Sequence, residues 1–499
     1  MKGCNTYKNQ NPTVLKLKFM QKQMFSKTLF AKLLSVVLLT LIFSVFAMAQ
    51  TEASIDSMVQ KWIDAKMIPG AGVAVVRNGK IILAKGYGAA NAEAGTKANK
   101  NTAFQIASIT KQFTAAGIML LVEDGKVKLD DGLGKYVPDV PEHWRGVTVR
   151  QLLNQVSGIQ NYAASRKIVA DKNYTQAEIL GFVRDIKPLF EPGTKWHYSN
   201  TNYFLLGMII EKVSGKSYPD FMRERIFKPL GMNLTTVNTS GLKIENAALG
   251  YKLADGNWQK AALGDPSQSF SAGAIVSTAA DMAKWAFALS EDKLLKKSSW
   301  DQAWLPAKLS DGKSTVYGFG WEISKIYGTN YIGHGGKISG FSSYIARFPD
   351  DNLSVVVLVN NDDARKEPLA FDIAGLYLPK VGAALAAERA TKNADSIEDT
   401  DPATTKFLRE TFEKMITGDV DQNIFSPEMQ KALFPDEIKT LKLILGSQGQ
   451  IKAFDLIKSE TKQSVKSRDY RATFEKMKVR LNFTINAEGK IAKAIINPE

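Results

Sequence analysis

The chain places a serine three residues before a lysine in the stretch Phe104-Gln105-Ile106-Ala107-Ser108-Ile109-Thr110-Lys111. If Ser108 begins a helix, this spacing puts the Lys111 ammonium beside the Ser108 hydroxyl on one face. A lysine desolvated there can lose its proton near neutral pH and activate the serine as a nucleophile. A Ser-x-x-Lys pattern fixes only two positions, and a helix N-cap followed by a surface lysine is the alternative. Other segments must therefore decide between the two interpretations.

Three more segments carry polar residues in an ordered series. Tyr198-Ser199-Asn200 lies in a predicted loop ahead of a predicted helix at 203–213, and His334-Gly335-Gly336-Lys337 lies on a predicted strand. The segment 152–159, Leu-Leu-Asn-Gln-Val-Ser-Gly-Ile, falls between the serine motif and the tyrosine motif. Each segment alone has a structural alternative, a helix cap for Tyr198-Ser199-Asn200 and a buried histidine for His334.

In this order and at these separations, the motifs resemble those of the serine β-lactamase and penicillin-binding protein family. The resemblance is strongest to the branch of class C β-lactamases, D-aminopeptidases and esterases, in which Ser-x-x-Lys, Tyr-x-Asn and a Lys-Thr-Gly or His-x-Gly strand meet in one pocket. It extends over about residues 55–375 and includes the segments 271–282 and 317–321. The implied fold class is α+β, with an antiparallel sheet flanked by helices plus an all-helical region.

The resemblance also implies catalytic roles. Ser108 attacks a carbonyl and becomes acylated, while Lys111 and the Tyr198 phenol share its proton. One of the two later activates water or another acceptor, and which of them is the base stays open. The backbone N–H groups of Ser108 and Lys337 are implied to hold the oxyanion.

The remaining implied roles concern substrate binding. Glycines at 335 and 336 let a substrate lie against the strand edge, and Asn200 hydrogen-bonds either the substrate amide or Lys111. His334 occupies the position of the strand lysine of the family. A neutral imidazole attracts a substrate carboxylate less than an ammonium does, so we expect weak β-lactam hydrolysis.

The chain departs from the family at Gln155-Val156, where relatives usually carry His-Thr before Ser-Gly. This departure leaves the local loop structure open. Ser157, which follows, is interpreted as a loop cap and not as a catalytic group.

These observations predict a serine hydrolase that acts on an ester, an amide or a D-amino-acid peptide through an acyl-enzyme. The alternative is a penicillin-recognising binding or sensor module that acylates slowly and turns over poorly. The chain has no G-x-S-x-G, P-loop or H-E-x-x-H motif, and its three histidines are isolated from one another. We therefore expect no metal and no organic cofactor. The expected substrates are small-molecule esters, peptides or β-lactam-like compounds.

The first 49 residues are typical of a signal peptide. They hold seven lysines and no acid, followed by an apolar run at 33–46 and by Ala47-Met48-Ala49. Cleavage is predicted near Ala49-Gln50. The mature protein is then expected to have no stable membrane span and to be periplasmic or extracellular. An uncleaved membrane anchor is the alternative. The leader is long, so translation starting at Met20 or Met24 stays open.

Composition limits the other classes of function. Cys4 lies in the predicted leader, so the mature chain has no cysteine for a disulfide, a thiol nucleophile or a metal site. Removing the seven leader lysines lowers the formal net charge from +15 to +8. The remaining basic residues are dispersed, which indicates a solvated surface and no nucleic-acid binding.

Hydrophobic periodicity predicts the domain organisation. Strands at 72–76 and 80–84 flank the turn Asn78-Gly79, a mainly helical stretch covers 104–300, and strands return at 317–321, 331–333, 341–348 and 353–359. We therefore expect one antiparallel sheet whose first and last strands are neighbours. The predicted hydrolase domain covers 50–385, a linker covers 386–402, and a small α+β accessory domain covers 403–499, with helices followed by strands.

Overall fold

The computed structural model describes residues 51–291, 293–362, 366–392, 396–475 and 477–498. The predicted signal peptide at 1–49 lies outside these residues. Contacts divide the chain into two compact units, Met1–Gly382 and Ala383–Glu499. The stretch 386–402, predicted to be a linker, includes the end of one helix and the first residue of the next.

The strands of the first unit form three sheets, and their bounds are β1 (Gly70–Arg77), β2 (Lys80–Asn91), β3 (Thr96–Lys97), β4 (Ala103–Gln105), β5 (Thr236–Val237), β6 (Tyr251–Ala254), β7 (Asn257–Lys260), β8 (Ile275–Thr278), β9 (Glu322–Ile326), β10 (Thr329–Ile338), β11 (Phe341–Phe348) and β12 (Leu353–Val359).

The helices that begin in this unit are α1 (51–64), α2 (Thr110–Glu123), α3 (Glu142–Arg145), α4 (Val149–Leu153), α5 (Gln176–Gly181), α6 (Asn200–Ser214), α7 (Tyr218–Met222), α8 (Phe270–Gly273), α9 (Ala279–Ser290), α10 (Lys297–Ala303), α11 (Lys366–Gly375) and α12 (Pro379–Lys392). Of the described helices, none combines the length and the hydrophobicity that crossing a membrane requires.

The main sheet has seven antiparallel strands in the order β3-β2-β1-β12-β11-β10-β9. The first and last long strands of the unit are neighbours, with Ala71 opposite Val359 and Arg77 opposite Leu353, as predicted. Asn78 and Gly79 both have positive φ, which is the type I′ geometry that the Asn-Gly pair favours in a two-residue hairpin turn. The predicted α+β fold with a helix-flanked antiparallel sheet is therefore confirmed.

The strand predicted at 317–321 is wrong. This segment is irregular, and β9 begins only at Glu322. Gly320 has a φ of 81°, and a Cβ atom there would lie 2.8 Å from the main-chain oxygen of Lys111. The segment therefore bends and passes close to the backbone of α2, an approach that only a glycine allows.

Helix α2 lies in the middle of the unit and is buried around almost its whole circumference. Phe113 on α2 stacks on Trp285 of α9 with ring centroids 4.1 Å apart. Lys111, on the same helix, is completely buried. The helix that carries the lysine of the Ser-x-x-Lys motif is thus part of the hydrophobic core and not a surface element.

After the end of α12, the described part of the second unit has three helices followed by a four-stranded antiparallel sheet, the element order that the sequence predicts for 403–499. Its elements are α13 (Pro402–Thr417), α14 (Pro427–Leu433), α15 (Asp436–Leu445), β13 (Ile451–Lys462), β14 (Val465–Phe474), β15 (Lys478–Ile485) and β16 (Ile491–Pro498). Alternate residues of β15 are buried, among them Leu481 and Phe483, and they pack with Phe412 of α13 in this unit's own core.

Strand β10 packs directly on the segment that carries Ser108. The Ser343 hydroxyl on β11 donates to the main-chain oxygen of Ile106 at 2.7 Å. A Cβ atom at Gly336 would lie 2.3 Å from that same oxygen and 2.3 Å from Ser343 Oγ. The absent side chain of Gly336 therefore makes room for the backbone that leads into Ser108.

We expect Gly336→Ala to force β10 away from Ile106 and to destabilise the fold by about 1–3 kcal/mol, the usual cost of overpacking. Thermal melting is the measurement. The matched control is Gly181→Ala, because Gly181 ends α5 with no atom within 4 Å of an added Cβ. Equal melting temperatures for the two variants would contradict this packing argument.

Candidate active site

Ser108 lies in a short 3-10 helix, Ala107–Ile109, that runs directly into α2. Ala107 has a φ of 46°, in the left-handed region that non-glycine residues adopt rarely. This turn presents Ser108 at the start of the helix, and Lys111 Nζ lies 3.2 Å from Ser108 Oγ. The predicted proximity of the two side chains is present, with Ser108 partly exposed and Lys111 fully buried.

Lys111 Nζ has two further oxygen partners. It donates to Asn200 Oδ1 at 2.8 Å and to the main-chain oxygen of Ala272 at 2.8 Å. Of the two partners that the sequence allowed for Asn200, substrate amide or Lys111, the structure places Lys111 at the Asn200 side chain. Among the described residues, Lys111 thus has three hydrogen-bond partners, and all are uncharged oxygens.

This set of partners suits both protonation states of Lys111. Two of the oxygens are carbonyl-type acceptors, whereas the Ser108 hydroxyl can also donate. A neutral amine can therefore donate to Asn200 and Ala272 and turn its lone pair toward the Ser108 O–H. Desolvation lowers the pKa of Lys111 well below its usual value of 10.5. A proton can pass from Ser108 to Lys111 with no change in hydrogen-bond partners.

Tyr198 completes the polar cluster. It lies in the loop before α6. Burial raises the pKa of Tyr198, so the phenol keeps its proton at neutral pH, and the Ser108 hydroxyl is close enough to the phenol to lower that pKa slightly. Lys111 Nζ lies 4.9 Å from the centre of the Tyr198 ring and 5.6 Å from that of Tyr203. Both rings stabilise an ammonium once Lys111 is protonated.

His334 lies on β10 with its side chain almost fully buried. Its Nδ1 is 2.6 Å from the main-chain oxygen of Gly335, which can only accept, so Nδ1 carries the proton. In a neutral ring Nε2 then accepts from the Tyr317 hydroxyl at 2.9 Å. Both ring nitrogens of His334 are therefore hydrogen-bonded within the protein. The His334 ring lies beside the Tyr198 ring, with their centroids 6.1 Å apart.

Strand β10 extends beyond the end of its pairing with β9. Pairing with β9 ends where Gly333 lies opposite Glu322, yet β10 continues to Ile338 and stays paired with β11. The residues of β10 past that point are His334, Gly335, Gly336, Lys337 and Ile338. The Lys337 side chain is exposed, and its backbone lies on the edge that the sequence predicts to bind substrate.

Two cavities meet at Ser108, and both are also lined by Asn200 and Lys337. We call the first the alanine-lined cavity; it measures about 400 Å³, and its small residues are Ala107, Ala163, Ala170, Ala262, Gly264, Ala272 and Gly273. We call the second the aromatic cavity; it measures about 890 Å³, and its rings belong to Trp196, Tyr198, Tyr331, His334, Tyr344 and Phe371. A substrate bound at Ser108 can therefore extend into both cavities.

Three groups around the cluster were not assigned from the sequence. Ala272 acts through its main-chain oxygen, Tyr203 through the face of its ring, and Tyr317 through its hydroxyl on His334. Ala272 and Tyr317 lie in segments that carry the family resemblance, but a main-chain acceptor has no signature in residue type. Within the described ranges, no three His, Cys, Asp or Glu side chains come together as a metal site.

The chain is similar in sequence to a known protein family and to two known proteins. The family model described as Beta-lactamase matches residues 55–376. Protein flp of Staphylococcus aureus strain MW2 is 30% identical over 320 residues, 62% of this chain and 63% of that protein. Penicillin-binding protein 4* of Bacillus subtilis strain 168 is 31% identical over 312 residues, 58% of this chain and 68% of that protein. The chain thus matches less than two thirds of the length of Protein flp.

Solved structures give a consistent result. The octameric penicillin-binding protein homologue from Pyrococcus abyssi aligns with a TM-score of 0.63 over 90% of this chain and 98% of that chain; at 23% identity it shows the fold alone. The D-amino acid amidase from Ochrobactrum anthropi SV3 complexed with D-phenylalanine is 28% identical, with a TM-score of 0.59 over 67% of this chain and 99% of that chain. The Beta-lactamase family model matches more than half of this chain, so the chain belongs to the beta-lactamase family.

Proposed function

We propose that this protein is an exported serine hydrolase that cleaves an ester, an amide or a D-amino-acid peptide through an acyl-enzyme on Ser108. The observation that carries the proposal is the position of Ser108 Oγ, 3.2 Å from a buried lysine whose partners are all uncharged. Such a lysine is a base and not a counter-ion.

In the proposed acylation step, neutral Lys111 takes the Ser108 proton while Oγ bonds to the substrate carbonyl carbon. The carbonyl π electrons move to oxygen, and the backbone N–H groups of Ser108 and Lys337 hold this oxyanion. Collapse of the intermediate breaks the bond to the leaving group. Tyr198 donates its proton to that group and recovers one from the Lys111 ammonium, which returns Lys111 to the neutral state.

Deacylation reverses these roles with water. Lys111 takes a proton from water directly, or Tyr198 takes it after passing its own proton to Lys111. The hydroxide oxygen bonds to the acyl carbon, and the Ser108 oxygen leaves with a proton from the same pair. The opposite directions of the two pKa shifts favour Lys111 as the resting base and Tyr198 as the proton donor.

The two cavities support an assignment of the substrate halves. Tyr198, the proposed donor to the leaving group, lines the aromatic cavity but not the alanine-lined cavity. The leaving group then occupies the aromatic cavity, and the acyl group occupies the alanine-lined cavity, where small side chains leave room for an apolar substituent. The likeness to a D-amino acid amidase supports amides of D-amino acids as the first compounds to test.

A penicillin-recognising sensor is the competing function, because the same acylation machinery can operate without fast deacylation. Pre-steady-state kinetics with a chromogenic β-lactam and with D-phenylalanine amide separates the two. Continuous turnover of the amide supports the hydrolase. A stoichiometric burst with the β-lactam, and no turnover of esters or amides, supports the sensor.

Ser108→Ala is expected to abolish ester and amide turnover, because the chain offers no cysteine after residue 4 as a substitute nucleophile. Its melting temperature is expected to stay close to that of the parent, since Ser108 is only partly buried. The measurements are p-nitrophenyl acetate hydrolysis and a thermal melt. Turnover by a well-folded Ser108→Ala variant would disprove the nucleophile assignment.

Lys111→Arg keeps the positive charge but removes the base, because a guanidinium does not deprotonate in proteins. We expect acylation to slow on the order of 10²-fold or more, the range of general-base catalysis. Stopped-flow acylation is the measurement, and Lys126→Arg is the control, since Lys126 is half-exposed just beyond α2. Near-parent rates in Lys111→Arg would mean that the lysine acts only by its charge.

Residues 403–499 are proposed to be dispensable for the chemistry and to tune substrate access or partner binding. This unit has its own core, and the motif residues all precede it. A chain that ends near residue 395 is expected to melt cooperatively and to keep its rate on p-nitrophenyl acetate. Loss of that rate in a cooperatively melting chain would assign the unit a part in the site.

A further inference from the structure

The backbone around Tyr198 is irregular, so neither a helix nor a sheet fixes this side chain. Residues 196–199 have no regular secondary structure, and Ser199 is extended, with φ −136° and ψ 122°. The N–H groups of His197 and Ser199, on either side of Tyr198, therefore need acceptors from outside a helix or a sheet.

Gln155 supplies both acceptors. The His197 N–H donates to the main-chain oxygen of Gln155 at 3.0 Å, and the Ser199 N–H donates to its side-chain Oε1, also at 3.0 Å. The same Oε1 accepts from Asn202 Nδ2, in the first turn of α6, at 2.6 Å. One residue thus holds the chain immediately before and immediately after Tyr198.

The conformation of Gln155 fits this role. Its side chain is completely buried, and its φ is 63°, the left-handed region that long side chains seldom adopt. The Nε2 of Gln155 has no hydrogen-bond partner among the described residues. The side-chain amide therefore acts through its oxygen alone, and its unpaired buried donor costs stability.

We infer that Gln155 is a positioning residue for Tyr198, which holds the phenol in the cavity beside Ser108 and Lys111 by fixing the backbone on both sides of it. The inference rests on the proposed role of Tyr198 in acyl transfer. It also assigns a task to Gln155, one of the two residues, Gln155 and Val156, at which this chain departs from the family pattern.

The test compares kcat and KM for p-nitrophenyl acetate in Gln155 variants of the full chain. Gln155→Met has a similar shape without the acceptor, and Gln155→Asn tolerates positive φ but is one methylene shorter. Both are expected to lower kcat on the order of 10²-fold with KM within about threefold, because a misplaced Tyr198 disturbs the proton transfers of deacylation and not substrate binding. Gln155→His keeps an acceptor and tolerates positive φ, so its kcat is expected to stay within about fivefold of the parent value.

Ser157→Ala is the matched control for stability. The buried Ser157 hydroxyl donates to Asn202 Oδ1 at 2.6 Å and accepts from the Ile159 N–H, so its loss weakens the same network without touching the Tyr198 backbone. We expect Ser157→Ala to lower the melting temperature and to leave kcat unchanged. Gln155→Asn keeps the test valid if Gln155→Met does not fold.

The outcomes separate the inference from the proposed function. Parent-like kcat in Gln155→Asn or Gln155→Met overturns the positioning role, as does a loss of kcat that merely follows melting temperature across the Gln155 and Ser157 variants. If Tyr198→Phe itself turned over at the parent rate, the proposed role of Tyr198 would fail first. Loss of activity in Tyr198→Phe but not in the Gln155 variants would overturn only the present inference.

Discussion

A lysine amine buried among uncharged oxygens is the constraint on which the rest of the site depends. A buried ammonium without a carboxylate partner is unfavourable, so the folded state lowers the pKa of Lys111 well below 10.5. The folded chain then binds this proton less tightly than the unfolded chain does. This group therefore makes the free energy of unfolding rise with pH between the lowered pKa and 10.5, and fold stability and proton acceptance are linked through one atom.

The fold supplies that environment through elements far apart in sequence. The core helix α2 carries Lys111 into the interior, the start of α6 brings Asn200, and α8 brings the main-chain oxygen of Ala272. On the other side, β10 packs so closely on Ile106 that position 336 has no room for a side chain. The nucleophile is thus fixed between a rigid helix and a strand edge, with a cavity on each side.

The sequence alone predicted the parts of this arrangement that depend on residue type and spacing. Three-residue spacing put Ser108 beside Lys111, the Asn-Gly pair predicted the first hairpin, and the strands at both ends of the unit predicted the sheet in which β1 and β12 are neighbours. Backbone groups carry no such signal, so the Ala272 oxygen could not be found. The strand predicted at 317–321 failed because Gly320 turns the chain toward α2. Tyr317, in the same irregular segment, hydrogen-bonds His334.

The most direct test of the account is the ionisation of Lys111 itself. Carbon-13 labelling of lysine Cε, with NMR spectra recorded across pH and Lys111→Arg for assignment, reports that pKa in the folded protein. The account predicts one lysine resonance that titrates well below 10.5 and is missing in Lys111→Arg. A Lys111 resonance that titrates near 10.5 would show that the amine stays charged at neutral pH, and this would contradict its role as the base that activates Ser108.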